Sequence, residues 1–467
     1  MTSGFLLPVA HALASRQDLP IPAWLFAWGA SIVLIVSFFA LSVAWRTPRF
    51  ERDRWRPLGA RLSRVLLGRP AQLLCGAAGV FLLGVAIYAG LRGTEAPDRN
   101  FALTFIFVTC WLGFPLFSVL LGDVFRPFNP WRAIGRGVGG AFTAFAGQRP
   151  AHLAYPDALG RWPAAVGLLA FVWMEVVYGT SGGVAVGVLP ETTATAALFY
   201  TAYTLAMMAL FGVEKWCRTG EVFSVYFGMF SQLGVFATKD ERLGRRMPLA
   251  AATHWATVPG SLAVVIASIA TTSFDGAQEG AFKGAIEQTF DWLAGTGLSL
   301  TASLRLTDTI FLLLCFAGVA VIYLIGVKGM ESVRGAPPFA KLRSGFAHTL
   351  IPIAFAYLVA HYFSLFVFQE QAQFTYLLSD PLGTATTDLF GTASGGIDFN
   401  VLTANAIWYV QVGALVIGHV VGLTLAHDRA TAYWGDFRQA ARSQYWMLAV
   451  MVSFTCFGLF LLSAGNS

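Results

Sequence analysis

Residues 306–328 read Leu306-Thr-Asp-Thr-Ile-Phe-Leu-Leu-Leu-Cys-Phe-Ala-Gly-Val-Ala-Val-Ile-Tyr-Leu-Ile-Gly-Val-Lys328, and only Asp308 and Lys328, near the two ends, are charged. An α-helix rises 1.5 Å per residue, so about 20 apolar residues cross the hydrocarbon core of a bilayer. Inside lipid the backbone groups must bond within their own segment, which makes such a run helical. The run therefore predicts a transmembrane helix.

Runs of comparable length and composition recur along the chain. Their predicted ranges are 23–45, 71–91, 101–122, 163–188, 193–213, 250–272, 345–368, 403–426 and 443–464. The whole chain is 56% hydrophobic and only 12% charged, whereas soluble domains carry about 25% charged residues. We predict an all-α fold, a polytopic membrane helix bundle of about ten transmembrane helices.

The charged residues between these runs predict an orientation. Segment 46–70 carries eight arginines, which by the positive-inside rule places it in the cytoplasm. Loop 369–402 carries four acidic residues and no lysine or arginine, as expected for the opposite side. Alternation then puts both termini outside the cytoplasm, with residues 1–22 as an extracytoplasmic N-terminal segment and 23–467 as a single transmembrane domain. Four further basic segments fall on the cytoplasmic side: 123–162, 214–249, 329–344 and 427–442.

Two segments depart from simple membrane crossing. Residues 221–238 are apolar but follow a basic loop, which predicts an interfacial or re-entrant helix. Their start, Gly220-Glu-Val-Phe223, echoes Gly122-Asp-Val-Phe125. An internal duplication, as in many transporters, and chance similarity of aromatic-rich segments both explain the echo. The outer loop 369–402 exceeds the usual connection length, which is typical of lids and binding loops.

Several classes of function are disfavoured by the sequence. The net charge of +6 comes from basic residues in short loops, which indicates topology rather than a nucleic-acid partner. The five cysteines show no CxxC spacing, so we expect neither a disulfide framework nor a cysteine metal motif. P-loop and HExxH signatures of soluble enzymes do not occur in the sequence, and we find no GxSxG nucleophile elbow, the strand-to-helix turn that presents a catalytic serine. Pro115, Pro259 and Pro352 should kink or break their helices.

Ionisable residues at membrane depth are the remaining candidates for chemistry, because such residues are costly there. Glu175 lies about 17 Å into its predicted span at 1.5 Å per residue. It is a candidate proton acceptor, ion ligand or metal ligand, and the alternative is a protonated carboxyl group bonded to a neighbouring helix. We take Glu175, Asp308 and Asp388 as candidate catalytic residues.

The histidines supply candidate metal ligands, namely His361, His419 and His254. Histidine together with carboxylates suits a hydrolytic Zn, Mn or Co site, in which the metal activates water and polarises a phosphoryl oxygen. The alternative is hydrogen-bonded histidines surrounded by capping aspartates. His361 and His419 differ in predicted depth by about 14 Å at 1.5 Å per residue, which disfavours one ion or one haem shared by both.

Four stretches together resemble a known family. They are His11-Ala-Leu-Ala-Ser-Arg-Gln-Asp-Leu-Pro-Ile-Pro22, Phe125-Arg-Pro-Phe-Asn-Pro-Trp-Arg132, Glu221-Val-Phe-Ser-Val-Tyr-Phe227 and Gly418-His-Val-Val-Gly-Leu-Thr-Leu-Ala-His-Asp-Arg429. The chain resembles, over most of its length, bacterial membrane proteins that carry the label fenitrothion hydrolase. The resemblance implies hydrolysis of an aryl dialkyl phosphorothioate to a nitrophenol and a dialkyl thiophosphate, in a bacterial inner membrane. It transfers no catalytic residue.

Three functional hypotheses follow. The first is a membrane-embedded, metal-assisted hydrolase of apolar organophosphate triesters, with the bilayer and an apolar small molecule as partners and a second membrane subunit as a candidate for completing the site. The second is a transporter of a small solute coupled to an ion gradient. The third is a redox membrane subunit that holds haem or copper.

Overall fold

The computed structural model describes residues 23–51, 54–181, 184–185, 187–255, 257–278 and 280–464, so the predicted N-terminal segment 1–22 lies outside the described residues. The helices and strands, in chain order, are α1 Ala23–Ala44, β1 Arg56–Pro57, α2 Ala60–Leu67, α3 Arg69–Arg92, α4 Phe101–Leu121, α5 Phe125–Phe128, α6 Pro130–Ala146, α7 Trp162–Tyr178, β2 Thr180–Ser181, β3 Val184–Ala185, α8 Pro190–Phe211, α9 Val213–Thr219, α10 Val222–Leu233, β4 Phe236–Lys239, β5 Arg242–Arg245, α11 Ala250–Thr253, α12 Ser261–Gln278, α13 Lys283–Ala294, α14 Leu300–Glu331, α15 Phe339–Gly345, α16 Ile351–Ala372, α17 Ala404–Trp434 and α18 Phe437–Ala464. The part of the chain that the structure describes is all-α apart from two small antiparallel sheets.

Seven helices in the described part of the chain are long and apolar enough to cross a membrane. They are Ala60–Arg92, Phe101–Leu121, Pro190–Phe211, Leu300–Glu331, Phe339–Leu377, Ala404–Trp434 and Phe437–Phe460. The length and composition of these helices confirm a helical membrane protein. Trp28–Ala44 and Trp162–Tyr178 are shorter apolar helices.

Three prolines stand where a helix starts or changes form. Pro259 precedes α12, and Gly260 between them has a φ of +80°, so the predicted helical range 250–272 is wrong at its start. Pro352 lies in the first turn of α16, where a proline costs no hydrogen bond. Pro115 follows a π-helical segment of α4, Thr104–Gly113. Pro259 and Pro352 therefore mark helix starts rather than kinks. At Pro115 the helix changes from the π-helical to the α-helical form.

Two predicted irregular segments have different bounds in the structure. The outer loop was predicted from residue 369, but α16 continues as a π-helical segment, Gln373–Leu377, because its face stays buried there. The segment 221–238 contains α10, followed by strand β4. Eight residues of α10 are buried within the protein, and its 12 residues span only about 18 Å. A helix this short does not cross a bilayer.

The basic segments meet one another on one face of the bundle. Strand β1 pairs with β5 in antiparallel register, with Arg56 opposite Arg245, which joins segment 46–70 to segment 214–249. Arg429 forms an ion pair with Glu51 at 3.0 Å. On the opposite face, Thr94 N donates to the Leu382 carbonyl at 2.8 Å, which ties the short loop after α3 to the acidic loop. The basic connections thus lie at one end of the bundle, and the acidic loop lies at the other end.

Glu214 organises the basic face. Arg126, Arg132 and Arg136 approach its carboxylate at 3.5, 2.9 and 2.8 Å. Burial alone would raise the pKa of Glu214, but Arg132 and the other two guanidinium groups bring that pKa below its usual value. Arg136 also donates to Gln72 Oε1 at 2.8 Å, so the network links α3, α6 and α9.

The two echoing segments lie against each other. Asp123 accepts a hydrogen bond from Arg126 N at 3.2 Å, while Glu221 accepts from Ser224 N at 2.8 Å, so each acid caps the short helix that follows it. Asn129 Nδ2 joins them by donating to Glu221 Oε2 at 2.9 Å. Whether the segments descend from a duplication stays a hypothesis.

Small residues allow α16 and α17 to approach closely. A Cβ added at Gly418 would overlap Ala356 Cβ and lie 2.9 Å from the Pro352 carbonyl oxygen, and one added at Gly422 would lie 2.9 Å from the Thr349 carbonyl oxygen. Gly413 has no neighbour within 4 Å of such a Cβ. The close approach thus depends on two of the three glycines in this part of α17.

We expect Gly418→Ala to destabilise the protein by about 1–3 kcal/mol, because the added methyl group overpacks a contact that includes backbone. Gly413→Ala is the matched control on the same helix, and it should be neutral or slightly stabilising because alanine favours helices. Thermal unfolding of both purified variants in detergent checks this. Equal unfolding temperatures for the two variants would contradict the packing argument.

We expect Glu221→Ala to lower the free energy of unfolding by about 2–4 kcal/mol, because it leaves several buried donors unpaired at about 1–3 kcal/mol each. The carboxylate of Glu221 is fully buried and accepts from Asn129, Tyr200 Oη at 2.7 Å and two backbone amides. Glu287→Ala, at an exposed position on α13, is the control in the same unfolding assay. A Glu221→Ala protein as stable as the control would refute this role.

Candidate functional site: a carboxylate–histidine–tyrosine cluster

Three side chains from two helices form a hydrogen-bonded group in the middle of the bundle. Asp275 belongs to α12, and His361 and Tyr362 are neighbours on α16. Asp275 Oδ2 lies 2.8 Å from His361 Nε2 and accepts from Tyr362 Oη at 2.7 Å. The two rings meet edge to face with centroids 4.5 Å apart. One carboxylate oxygen therefore fixes the orientation of both rings.

The composition of α12 makes this contact possible. Most residues of α12 are alanine, serine, threonine or valine, and nearly all of the helix is buried. A Cβ on Gly276 would lie 3.3 Å from His361 Nδ1, so the imidazole lies directly against the α12 backbone. The small residues bring α12 close enough to α16 for the Asp275 side chain to reach both rings.

Glu175 is the fourth member of the cluster. It lies in a π-helical segment at the end of α7, Met174–Tyr178, and such segments are frequent at functional sites. Its Oε2 is buried without a hydrogen-bond partner among the described residues. The carboxylate is close enough to Asp275, Tyr226 and Tyr362 to interact with them electrostatically. A carboxyl group with an unpaired oxygen therefore adjoins the Asp275–His361 pair.

The pair is not sealed off. The side chains of His361 and Asp275 keep 18% and 14% of their surface accessible, so neighbouring helices do not enclose them completely. A carboxylate bonded to one imidazole nitrogen sets the tautomer of the ring and stabilises its protonated form. The cluster can therefore hold a proton, pass it on, or remove one from a nearby water molecule.

The structure brings together two of the predicted site residues, Glu175 and His361, while His419, His254 and Asp388 have other surroundings. His419 is fully buried on α17, where its Nδ1 donates to the Leu415 carbonyl at 2.7 Å. Its ring faces Tyr357, four residues before His361. The carboxylate that bonds His361 is that of Asp275, while Asp308 is buried on α14. His254 is exposed after α11.

Asp388 stabilises the outer loop. The Ser379 hydroxyl and Ala393 N, the latter at 3.1 Å, donate to its Oδ1. The hydrogen bond from Ser379 holds the pKa of Asp388 below its usual value. Both donors belong to the same connection between α16 and α17, so the contacts of Asp388 are those of a loop-bracing residue.

Among the described residues, no three histidine, cysteine or acidic side chains are grouped so that they could hold a metal ion. His361, His419 and His254 lie at three separate places, and His361 Nε2 is engaged by Asp275. Among the residues that the structure describes, these donors do not form the expected Zn, Mn or Co centre.

Sequence reasoning missed Asp275 and Tyr362. Asp275 lay beyond the predicted end of its helical run at residue 272 and was therefore treated as part of a loop. Pro259-Gly260 supplies the signal that would have found it, because a helix that starts after this pair reaches residue 278 in 18 residues. Asp275 then falls inside the helix, where an acidic residue is a functional candidate.

The three motifs of the family resemblance that lie among the described residues connect different parts of the fold. Asn129 and Glu221, from two of these motifs, bond each other. Asp428, from a third, is fully buried and accepts from Trp45 Nε1 at 2.8 Å, Arg49 N at 2.6 Å and Phe50 N at 3.1 Å. Asp428 therefore anchors the chain after α1, and it lies within α17, which continues to Trp434, beyond the predicted end of this run at residue 426.

Comparison with known proteins indicates no function, so a functional proposal has to be based on the site itself. The chain matches no family model, no curated protein and no solved structure.

Proposed function

We propose that this protein is a proton-translocating membrane transporter, in which Glu175 and the Asp275–His361–Tyr362 group bind the proton that drives solute movement. The observation that carries this proposal is the unpaired Glu175 oxygen beside a hydrogen-bonded carboxylate–histidine pair. Chains of Asp, Glu and His at membrane depth are typical of proton relays in pumps and transporters.

The proposed setting is a bacterial inner membrane crossed by about ten helices, with both termini outside the cytoplasm. α1, α7 and α12 would add three crossings to the seven helices that meet the length and composition criteria. The separation of basic and acidic connections to opposite ends of the bundle supports this topology. In the proposed topology, the acidic loop and the end of α16 lie outside the cytoplasm.

The chemistry of the cluster supports a cycle of proton binding and release. A charge at membrane depth is costly unless it is paired or neutralised. A proton on Glu175 removes its charge, and a protonated His361 would form an ion pair with Asp275 across the 2.8 Å contact. The relative free energies of the outward-open and inward-open conformations depend on these charges. Proton binding can therefore shift the equilibrium between the two conformations.

We expect proteoliposomes that contain the protein to take up protons several-fold faster than empty liposomes under a potassium diffusion potential. Glu175→Gln and Asp275→Asn should reduce the rate at least tenfold, since each removes a protonatable group. Internal pyranine fluorescence reports the uptake, and Glu287→Gln on the exposed side of α13 is the control. A wild-type rate equal to that of empty liposomes would rule out proton translocation.

A second candidate function, hydrolysis of an apolar organophosphate triester, is favoured by the His361–Asp275 pair itself. A histidine oriented by a carboxylate can act as a general base. It would take a proton from water as the water oxygen bonds to phosphorus, and the aryloxide would leave with the bonding electron pair and be released as nitrophenol. An apolar substrate can reach the site from the lipid.

Under the hydrolase proposal, washed membranes with this chain release coloured nitrophenol from fenitrothion, and His361→Ala and Asp275→Asn abolish the release. His254→Ala should retain it, because His254 is exposed and distant from the cluster. Addition of a chelator tests for a metal in the same assay. Undiminished release by the His361 and Asp275 variants would remove the pair from the reaction.

A further inference from the structure

A second group of buried oxygen atoms lies at the far end of α16, where it packs against α4. Glu370 Oε1, Thr109 Oγ1 and Gln373 Oε1 are each buried and have no hydrogen-bond partner among the described residues. Gln373 as a whole is only 3% exposed. Three polar side chains in the same part of the bundle thus keep unused acceptors away from water.

Local geometry places these oxygens together. The Thr109 side chain lies against the Glu370 carboxylate, although neither Thr109 Oγ1 nor Glu370 Oε1 forms a hydrogen bond of good geometry with a described residue. Gln373 follows Glu370 by three residues, which puts both side chains on one face of the helix. A carboxylate, a hydroxyl and an amide oxygen thus lie in one part of the contact between α4 and α16, each with an oxygen that lacks a hydrogen-bond partner among the described residues.

Both supporting segments are π-helical. Thr109 lies within Thr104–Gly113 of α4, and Gln373 begins the segment Gln373–Leu377. In membrane transporters, irregular helical backbone beside buried side-chain oxygens supplies further carbonyl ligands to a coupling ion. These two departures from the α-helix face each other around Glu370.

The type of ligand identifies the class of ion. A carboxylate, an amide oxygen and a hydroxyl are hard oxygen donors, which suit hard cations. One negative charge matches one positive charge, and a buried charge left unpaired is costly. We propose that Glu370, Thr109 and Gln373 form a binding site for a sodium ion.

This inference rests on the proposed transport function for its purpose, because a sodium site at the outer end of α16 would supply a second coupling ion. Its geometry is independent of that function. Nine residues separate Glu370 from His361, which is about 14 Å along a helix. The sodium site and the proton cluster are therefore distinct sites connected by one helix.

Thermal unfolding of the purified full-length protein in detergent tests the site, with NaCl, KCl and choline chloride compared at equal ionic strength. We expect the unfolding temperature to rise by several degrees in NaCl, with saturation, and not in choline chloride. Glu370→Gln should abolish the rise, and Thr109→Val should weaken it. Glu287→Gln, on exposed α13, should retain it in full.

Equal unfolding temperatures of the wild type in the three salts would overturn the proposal, and so would a rise retained by Glu370→Gln or a rise in KCl alone. If Glu370→Gln fails to fold, Thr109→Val and Gln373→Leu provide the same test. Glu175→Gln separates the two proposals, because it should lose proton uptake yet keep the sodium effect. A sodium effect without any wild-type proton uptake would refute the transport proposal and leave the sodium site standing.

Discussion

In the hydrocarbon core of a membrane, a polar group can form hydrogen bonds only with other groups of the protein. This constraint organises the whole structure. Glu221 and Asp428 are fully buried, and each accepts several hydrogen bonds from distant parts of the chain. These acids cost little because they are fully satisfied, and they fix the positions of the connections around them. Glu175 and Glu370 keep an unpaired oxygen. The contrast between satisfied and unsatisfied acids separates the joints of the fold from its candidate sites.

The sequence motifs and the candidate site are therefore different parts of the molecule. Distinctive runs such as Phe125–Arg132 and Gly418–Arg429 hold connections together, because caps and close helix contacts demand particular residues at particular places. The cluster around Asp275 lies within ordinary-looking helices rich in alanine and threonine. A resemblance that rests on residues holding the connections together describes how a chain folds. It gives little information about the chemistry of the side chains inside the bundle.

Much of the fold could be predicted from the sequence because lipid imposes a length, a composition and a helical backbone on every crossing. The run that ends at Lys328 and the basic segments on one face follow from that rule alone. The site could be predicted only in part. Glu175 and His361 are conspicuous inside apolar runs, but the partner of His361 depends on the start of α12 after Gly260, a boundary that hydropathy does not define. Packing between helices distant in sequence also decides that His419 bonds its own helix instead of joining His361.

The contacts of Asp428 have a consequence for how the protein is made. Its carboxylate bonds the backbone of Arg49, which precedes it by 379 residues. At a synthesis rate of about 5–20 residues per second, the chain after α1 waits about 20–75 s for this partner. During that interval the first helix is held in the membrane by lipid and by its own arginine-rich flank. The contact between the segment after α1 and α17 therefore forms late in synthesis, after α17 has been made.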